Sequence, residues 1–349
     1  LAIIDWPALR GTLPGLAAII FLLAFTSFPI VLLLGGGPAV QTLEAAIYAA
    51  VRLDFDLGAA VKLALVQIAI CSVIILVSSG LAPLSTSLDR PTEPRWRDAS
   101  GARALQWVVL AIALLGFATP LLAVLADGVG GLGDVLVQPA FWASLATSLW
   151  IGIASALLAL LLALVIASAR AASPSRVTRM VLGAPAYAYL AVPAVALSLG
   201  AFLLVRDLGI LPDTAAPLVV VIANALLSLP FAMATLAPPF EAIARSRGRL
   251  IRSLDLGGMR QFRQIEWPLI ARDVGLVLAL SFCFSLGDLG VIALFGTQNF
   301  ATLPLLLVRA LGAYRTHDAA TIAALMLVLT IAAFVALPKL FERLGRADA

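Results

Sequence analysis

Between Gln106 and Ala126 the chain runs without a single charged residue, and stretches of this kind recur along its length. A helix needs ~20 apolar residues to cross the ~30 Å hydrocarbon layer of a bilayer. Eight segments reach that length, roughly 13–34, 58–80, 105–127, 141–169, 180–205, 216–236, 273–295 and 319–338. Their continuous Leu, Ala, Val and Ile character lacks the alternation of a transmembrane strand. That leaves helices, the other structure that satisfies every backbone group inside lipid. With 62% apolar and 12% charged residues and a mean hydropathy of +1.08, the composition excludes an ordinary soluble domain. The expectation is an all-α polytopic membrane protein, in contact with membrane lipid, with about eight transmembrane helices.

The cations suggest an orientation. If the N-terminus is cytoplasmic and the chain crosses at each of the eight segments, 18 of the 23 Lys and Arg residues fall on the cytoplasmic side, seven of them between Arg245 and Arg272. Arg52, Arg206, Arg309 and Arg315 fall on the other side, and Lys62 within a span. Such a bias obeys the positive-inside rule and places the C-terminus in the cytoplasm. The net charge of +4 therefore reports topology, and no nucleic-acid partner is expected.

Little in the sequence can do chemistry. Cys71 and Cys283 both fall inside predicted spans, without the spacing of a metal site or redox pair, and read as small packing residues. His317 is the only histidine, with no second ligand near it in sequence, so a cap or interfacial role is expected. No Ser/His/Asp set, paired catalytic carboxylates or metal cluster is recognisable, and G-x-x-x-x-G-K-[ST] is absent. No cofactor, metal or catalytic residue is expected, and the chain reads as a conduit rather than an enzyme.

One phrase occurs twice. Asp5-Trp6-Pro7 follows an isoleucine near the start, and Glu266-Trp267-Pro268 follows Ile265 about 260 residues later. Each is followed by a span, a stretch containing Thr-Leu (Thr42-Leu43 and Thr302-Leu303), a helix-like stretch reaching an aspartate (Asp56 and Asp318), and a further span. This order predicts that residues 1–80 are the last two transmembrane helices of a first unit and 105–349 a complete second unit of six. The polar, proline-bearing stretch 81–104 is the expected cytoplasmic linker. Because the first residue is not Met and the first span begins almost at once, the chain is expected to start inside a longer protein.

Residues 237–272 form a loop of ~35 residues, long for a plain connection. Leu250, Ile251, Leu254, Phe262 and Ile265 stand among arginines, with Gly257-Gly258 between them, as two short amphipathic helices joined at a glycine turn would require. The residues alone suit either docking on a partner or lying on anionic lipid.

Ser253 to Ile270, SLDLGGMRQFRQIEWPLI, resembles the cytoplasmic loop of permease subunits in binding-protein-dependent ABC importers. That family's pattern is Glu-Ala-Ala, three residues, Gly, then nine residues to Ile-x-x-Pro. Ile265 and Pro268 match the end of the pattern. Arg249, Leu250 and Ile251 replace Glu-Ala-Ala, and Asp255 stands where the glycine would be. The resemblance implies a type I importer permease fold and a coupling role for Leu254, Asp255, Gly257, Gly258, Phe262, Ile265 and Pro268, with the part near Leu254–Phe262 seated in a groove of a cytoplasmic ATPase dimer.

Ser285 to Gly296, SLGDLGVIALFG, then FATLP and GAYRTHDAA (Gly312 to Ala320), resemble the C-terminal half of thiamine importer permeases, in which two permease units are fused. TSFPIVLLLGGGP and TLEAAIY fit the end of the first unit of such fused chains, a feature shared with ferric-iron permeases. The resemblance implies a permease subunit of the bacterial inner membrane, receiving thiamine or its phosphates from a periplasmic substrate-binding protein. An importer of ferric iron or another small solute is the alternative. A secondary transporter is a third reading, and it would want more intramembrane ionisable groups than Asp288 and the edge residue Lys62. Ser281, Ser285 and Asp288 are candidates for the translocation path. Asp288, about 22 Å along its predicted helix and flanked by Gly287 and Gly290, would either attract a cationic substrate or cap a helix break.

Overall fold

A computed structural model describes residues 5–34, 41–81 and 100–347, and among these the regular structure is helical throughout. In chain order the α-helices are α1 (Asp5–Phe25), α2 (Phe28–Leu34), α3 (Leu43–Arg52), α4 (Leu57–Leu81), α5 (Ser100–Gly130), α6 (Leu132–Leu136), α7 (Pro139–Ala172) and α8 (Arg176–Ala188). They continue with α9 (Ala194–Asp207), α10 (Pro212–Ser253), α11 (Gly258–Gln261), α12 (Trp267–Gly287), α13 (Ile292–Phe295), α14 (Leu303–Gly312) and α15 (Thr316–Ala347). A π-helical turn, Phe262–Glu266, joins α11 to α12. Most of the expected linker 81–104 lies outside the described residues.

Six helical segments among the described residues are long and apolar enough to cross a membrane: Leu57–Val77, Arg103–Gly130, Pro139–Ala172, Pro212–Ile251, Gly258–Gly287 and Thr316–Arg346. They account for six of the eight expected spans. The other two are interrupted. The span expected at 13–34 breaks between α1 and α2, where the Thr26 hydroxyl donates to Leu22 O at 2.8 Å. The span expected at 180–205 breaks between α8 and α9 at Pro193, whose extended backbone (φ −62°, ψ 150°) starts a new helix. The span expected at 273–295 also ends early, because α12 stops at Gly287 and the chain is extended at Asp288.

The centre of the bundle is α7, α10 and α12. Alanines on α7 (Ala156, Ala163, Ala167) allow close approach of Met233, Leu236 and Phe240 from α10 and of Ile270, Val274 and Val277 from α12. Close approach also fixes α15: a Cβ at Gly275 would lie 2.6 Å from Leu337 O and 2.7 Å from Pro338 Cα. α5 touches the bundle through α15 and α6, and it turns Leu110, Ile112, Leu114, Leu115 and Phe117 outward. In water this would be a large apolar patch; towards hydrocarbon it is the ordinary outer surface of a membrane helix.

α3 and α4 pack on α9, with Ile47, Val51, Ala60 and Ala64 meeting Val195 and Leu199 in one core. Arg52 at the end of α3 adds a polar tie, donating from Nε to Ala293 O (3.1 Å) and from Nη2 to Gly296 O (3.0 Å), so it satisfies carbonyls at the end of α13. Cys71 is buried in α4, while Cys283 is half-buried with its thiol facing Thr330 O at 3.8 Å; both are free thiols. His317 is exposed and sits 3.0 Å from Asp127.

Candidate functional site

The arginine-rich segment 237–272 is not a pair of separate short helices. α10 continues without a break from the membrane-length segment to Ser253, through Pro238 and Pro239. The reason is that its apolar face does not stop at the arginines: Leu236, Phe240, Ile243 and Ile251 keep helical spacing and are all buried in the α7–α10–α12 core. The chain reverses in Leu254–Gly257 and returns through α11, making a helical hairpin. Leu254, Asp255, Gly257 and Gly258 are exposed at its tip. Phe262 is half-buried, 6.2 Å from Trp267, and Trp267 in turn is 6.1 Å from Phe341 of α15. Ile265 is buried in the core and half-buried Pro268 opens α12. The glutamate of the repeated phrase, Glu266, is buried and accepts from Gln261 Nε2 at 2.7 Å.

The tip explains the replaced glycine. Asp255 has φ +50°, in the left-handed region where the family pattern has glycine. Aspartate is one of the few side chains that enter that region readily, so the turn keeps its shape without the glycine. Gly258 is also left-handed, at φ +59°.

The end of α15 lies beside the base of this hairpin, since a Cβ at Gly345 would meet Ala271 Cβ at 2.5 Å. At the same end, Arg170 of α7 pairs with Glu241 of α10 at 3.2 Å. The hairpin tip, the arginines and the end of α15 therefore share one end of the bundle.

The three candidate path residues part company. Asp288 caps the break after α12: the Gly290 N–H donates to its Oδ1 at 3.1 Å and the Val291 N–H to its Oδ2 at 3.2 Å. Ser285 is buried and linked to two other helices, accepting from Asn224 Nδ2 at 2.9 Å and donating to Ser155 Oγ at 3.5 Å. Ser281 is buried, with no hydrogen-bond partner for its hydroxyl among the described residues. Asp288 lines a cavity of about 340 Å³ that Ser281 and Ser285 do not reach, although Asn224 connects Ser285 to its wall.

That cavity lies between α1–α3 on one side and α9, α10 and α12–α13 on the other. Thr26, Phe28, Glu44, Tyr189, Asn224, Phe231 and Phe284 line it with Asp288. Glu44 was not foreseen. In sequence it is one acid in the first turn of a short helix whose Thr42 cap accepts from the Ala45 N–H at 3.4 Å. Folded, it is fully buried, and among the described residues neither carboxyl oxygen has a hydrogen-bond partner; the same holds for both amide atoms of fully buried Gln67. Burial pushes the Glu44 carboxyl up to about 8, with the negative charge of Asp288 adding to the rise. The Gln67 amide and Phe28 N–H favour ionisation at longer range, but neither closes to hydrogen-bonding geometry. Nothing local in the sequence marks Glu44, because the groups around it, Phe28 of α2, Gln67 of α4 and Asp288 beyond α12, come together only in the fold.

No protein-family model matches the chain. Among characterised proteins it is 37% identical over 334 residues to the thiamine transport system permease protein ThiP of Brucella melitensis biotype 1, a match covering 95% of this chain and 61% of that protein. It is 37% identical over 356 residues to ThiP of Escherichia coli strain K12 (99% of this chain, 65% of that protein), and 34% identical over 335 residues to ThiP of Haemophilus influenzae (94% and 62%). The chain thus spans a little over three fifths of the length of these relatives. The resemblance to fused thiamine permeases holds along almost the entire chain, which is a relative of these permeases.

Proposed function

We propose that this chain forms the membrane-crossing permease part of an ATP-driven importer. It would take thiamine or its phosphates from a periplasmic binding protein across the bacterial inner membrane, with ATP hydrolysed by a separate ATPase dimer. The observation that carries this reading is identity of 34–37%, over 94% or more of the chain, to permeases named for thiamine transport. An importer of ferric iron has no such support.

On this reading residues 1–80 end a first permease unit, 81–104 link it to the second, and 105–349 form the second. The arginine-rich end of the bundle faces the cytoplasm with the C-terminus, as the positive-inside rule requires. The exposed turn Leu254–Gly258 enters the ATPase, and Phe262, Ile265 and Pro268 fasten the hairpin to the bundle so that motion of the tip reaches α12. α12 leads directly to Asp288, so the hairpin and the cavity are two ends of one lever.

The test is ATPase stimulation in vesicles holding the full-length permease, the ATPase and the binding protein. Thiamine-loaded binding protein should raise ATP hydrolysis, and ferric iron should not. Gly258→Pro cannot adopt φ +59° and should abolish stimulation while the permease still inserts. Stimulation that ignores thiamine, or survives Gly258→Pro undiminished, contradicts the reading.

A further inference from the structure

We propose that Glu44 and Asp288 together bind an aromatic organic cation in the cavity between α1–α3 and α9–α13, a role that rests on the permease reading for its identification with the transported substrate. The two acids come from opposite ends of the sequence, and both line the same space. No Lys, Arg or His lines it among the described residues. Its volume of about 340 Å³ suits a small molecule.

Glu44 carries the argument. A buried carboxylate with no hydrogen bond is costly, and such groups in proteins hold a proton or face a cation. Glu44 is 0% exposed, with both oxygens unpartnered among the described residues. Asp288 differs, because backbone N–H groups fix its orientation; a carboxylate has about four acceptor positions, so it can still accept from a ligand. Asn224, which also lines the space, has a buried Oδ1 with no partner among the described residues. The remaining walls are aromatic: Phe28, Tyr189 and the stacked pair Phe231 and Phe284, whose ring centres are 4.6 Å apart. Acids beside aromatic faces recognise an organic cation by charge and by cation–π attraction, and the unpaired Asn224 oxygen favours one that carries N–H donors. A hydrated metal ion would gain nothing from these walls.

The experiment is equilibrium binding to the full-length permease in lipid nanodiscs, with three probes: thiamine, tetraethylammonium and the uncharged thiochrome. Thiamine should bind, and Glu44→Gln should raise its Kd by about tenfold or more, with Asp288→Asn also weakening it. Thiochrome should bind weakly and alike to every variant. Asn224→Asp adds a third acid and should tighten thiamine binding, so the site stays testable even if Glu44→Gln fails to fold. Thiamine binding unchanged in all three variants, thiochrome bound as well as thiamine, or no probe bound at all would overturn the site. If tetraethylammonium binds in a Glu44-dependent way and thiamine does not, the cation site stands and thiamine as substrate falls. If thiamine drives ATPase stimulation equally in wild type and Glu44→Gln, the permease reading stands and the site falls.

Discussion

The stretch from α1 to α4 and the stretch from α12 to α15 have the same plan with different polar residues. Each has a helix that stops, a short piece, a ten-residue helix behind a threonine (α3 after Thr42, α14 after Thr302), a left-handed residue (Phe55 at φ 54°, Tyr314 at φ 59°) and a long final helix. The break after α12 is held by Asp288, whereas the break after α1 has Thr26 and Ser27. The first turn of α3 carries the buried Glu44, whereas α14 has Pro304 in that place. The shared parts build a frame, and the two acids stand where the frames differ. They converge on one cavity from opposite halves.

The largest effect that separates the halves should come from Glu44. In the fold its carboxyl holds a proton up to about pH 8 unless a cation beside it favours the ionised form, while in the unfolded chain it ionises near 4.5. Between these values the unfolded state binds fewer protons, so stability falls as pH rises, by at most about 1.4 kcal/mol per pH unit. Glu44→Gln should remove most of that slope; thermal unfolding of the two proteins at pH 5 and pH 8 decides it, and parallel curves would refute the burial of a lone acid.

Next comes the break itself. Asp288→Ala strips acceptors from the N–H groups of Gly290 and Val291, both buried, at about 1–3 kcal/mol for each group left unpaired. Ser27→Ala, at the matching break, should change the unfolding midpoint little. Equal losses would mean that Asp288 does not hold its break.

The two ten-residue helices start differently. Thr42 caps α3 with its own hydroxyl, but Thr302 leaves its hydroxyl unpartnered among the described residues, and the Leu303 N–H instead donates to Ser148 of α7 at 2.7 Å. Thr42→Ala and Ser148→Ala should each cost about 1 kcal/mol, while Thr302→Val costs less. Amide exchange should quicken at Ala45 in the first variant and at Leu303 in the second. Smallest, and the same in both halves, is the gain expected from Phe55→Gly and Tyr314→Gly: about 0.5–1 kcal/mol each, from relief of the left-handed backbone.

The sequence makes the apolar helices easy to see, because unbroken Leu, Ala and Val runs admit one solution in lipid. It hides the interruptions. Pro193 could be read as a helix break, but Thr26 and Asp288 look like residues within a span until their hydrogen bonds to nearby backbone are known. The hairpin was half legible: the glycines at 257 and 258 mark the turn, while the buried face running from Leu236 to Ile251 shows that its first arm is the membrane helix itself. Asp255 looked like a defect in a motif and is a conformational substitute. At the candidate site Asp288 stood out as a lone acid in an apolar run. Glu44 did not, since only the packing of α3 against α4, with Phe28 and Asp288 closing in, tells a buried acid from an ordinary one in a first helical turn.

The central claim is a permease driven from outside its own chain, and uptake of labelled thiamine by vesicles tests it most directly. With full-length permease, ATPase and binding protein present, accumulation should require ATP inside the reach of the ATPase and should persist when ionophores collapse the ion gradients. Accumulation that runs without ATP and vanishes with the gradients would contradict the account.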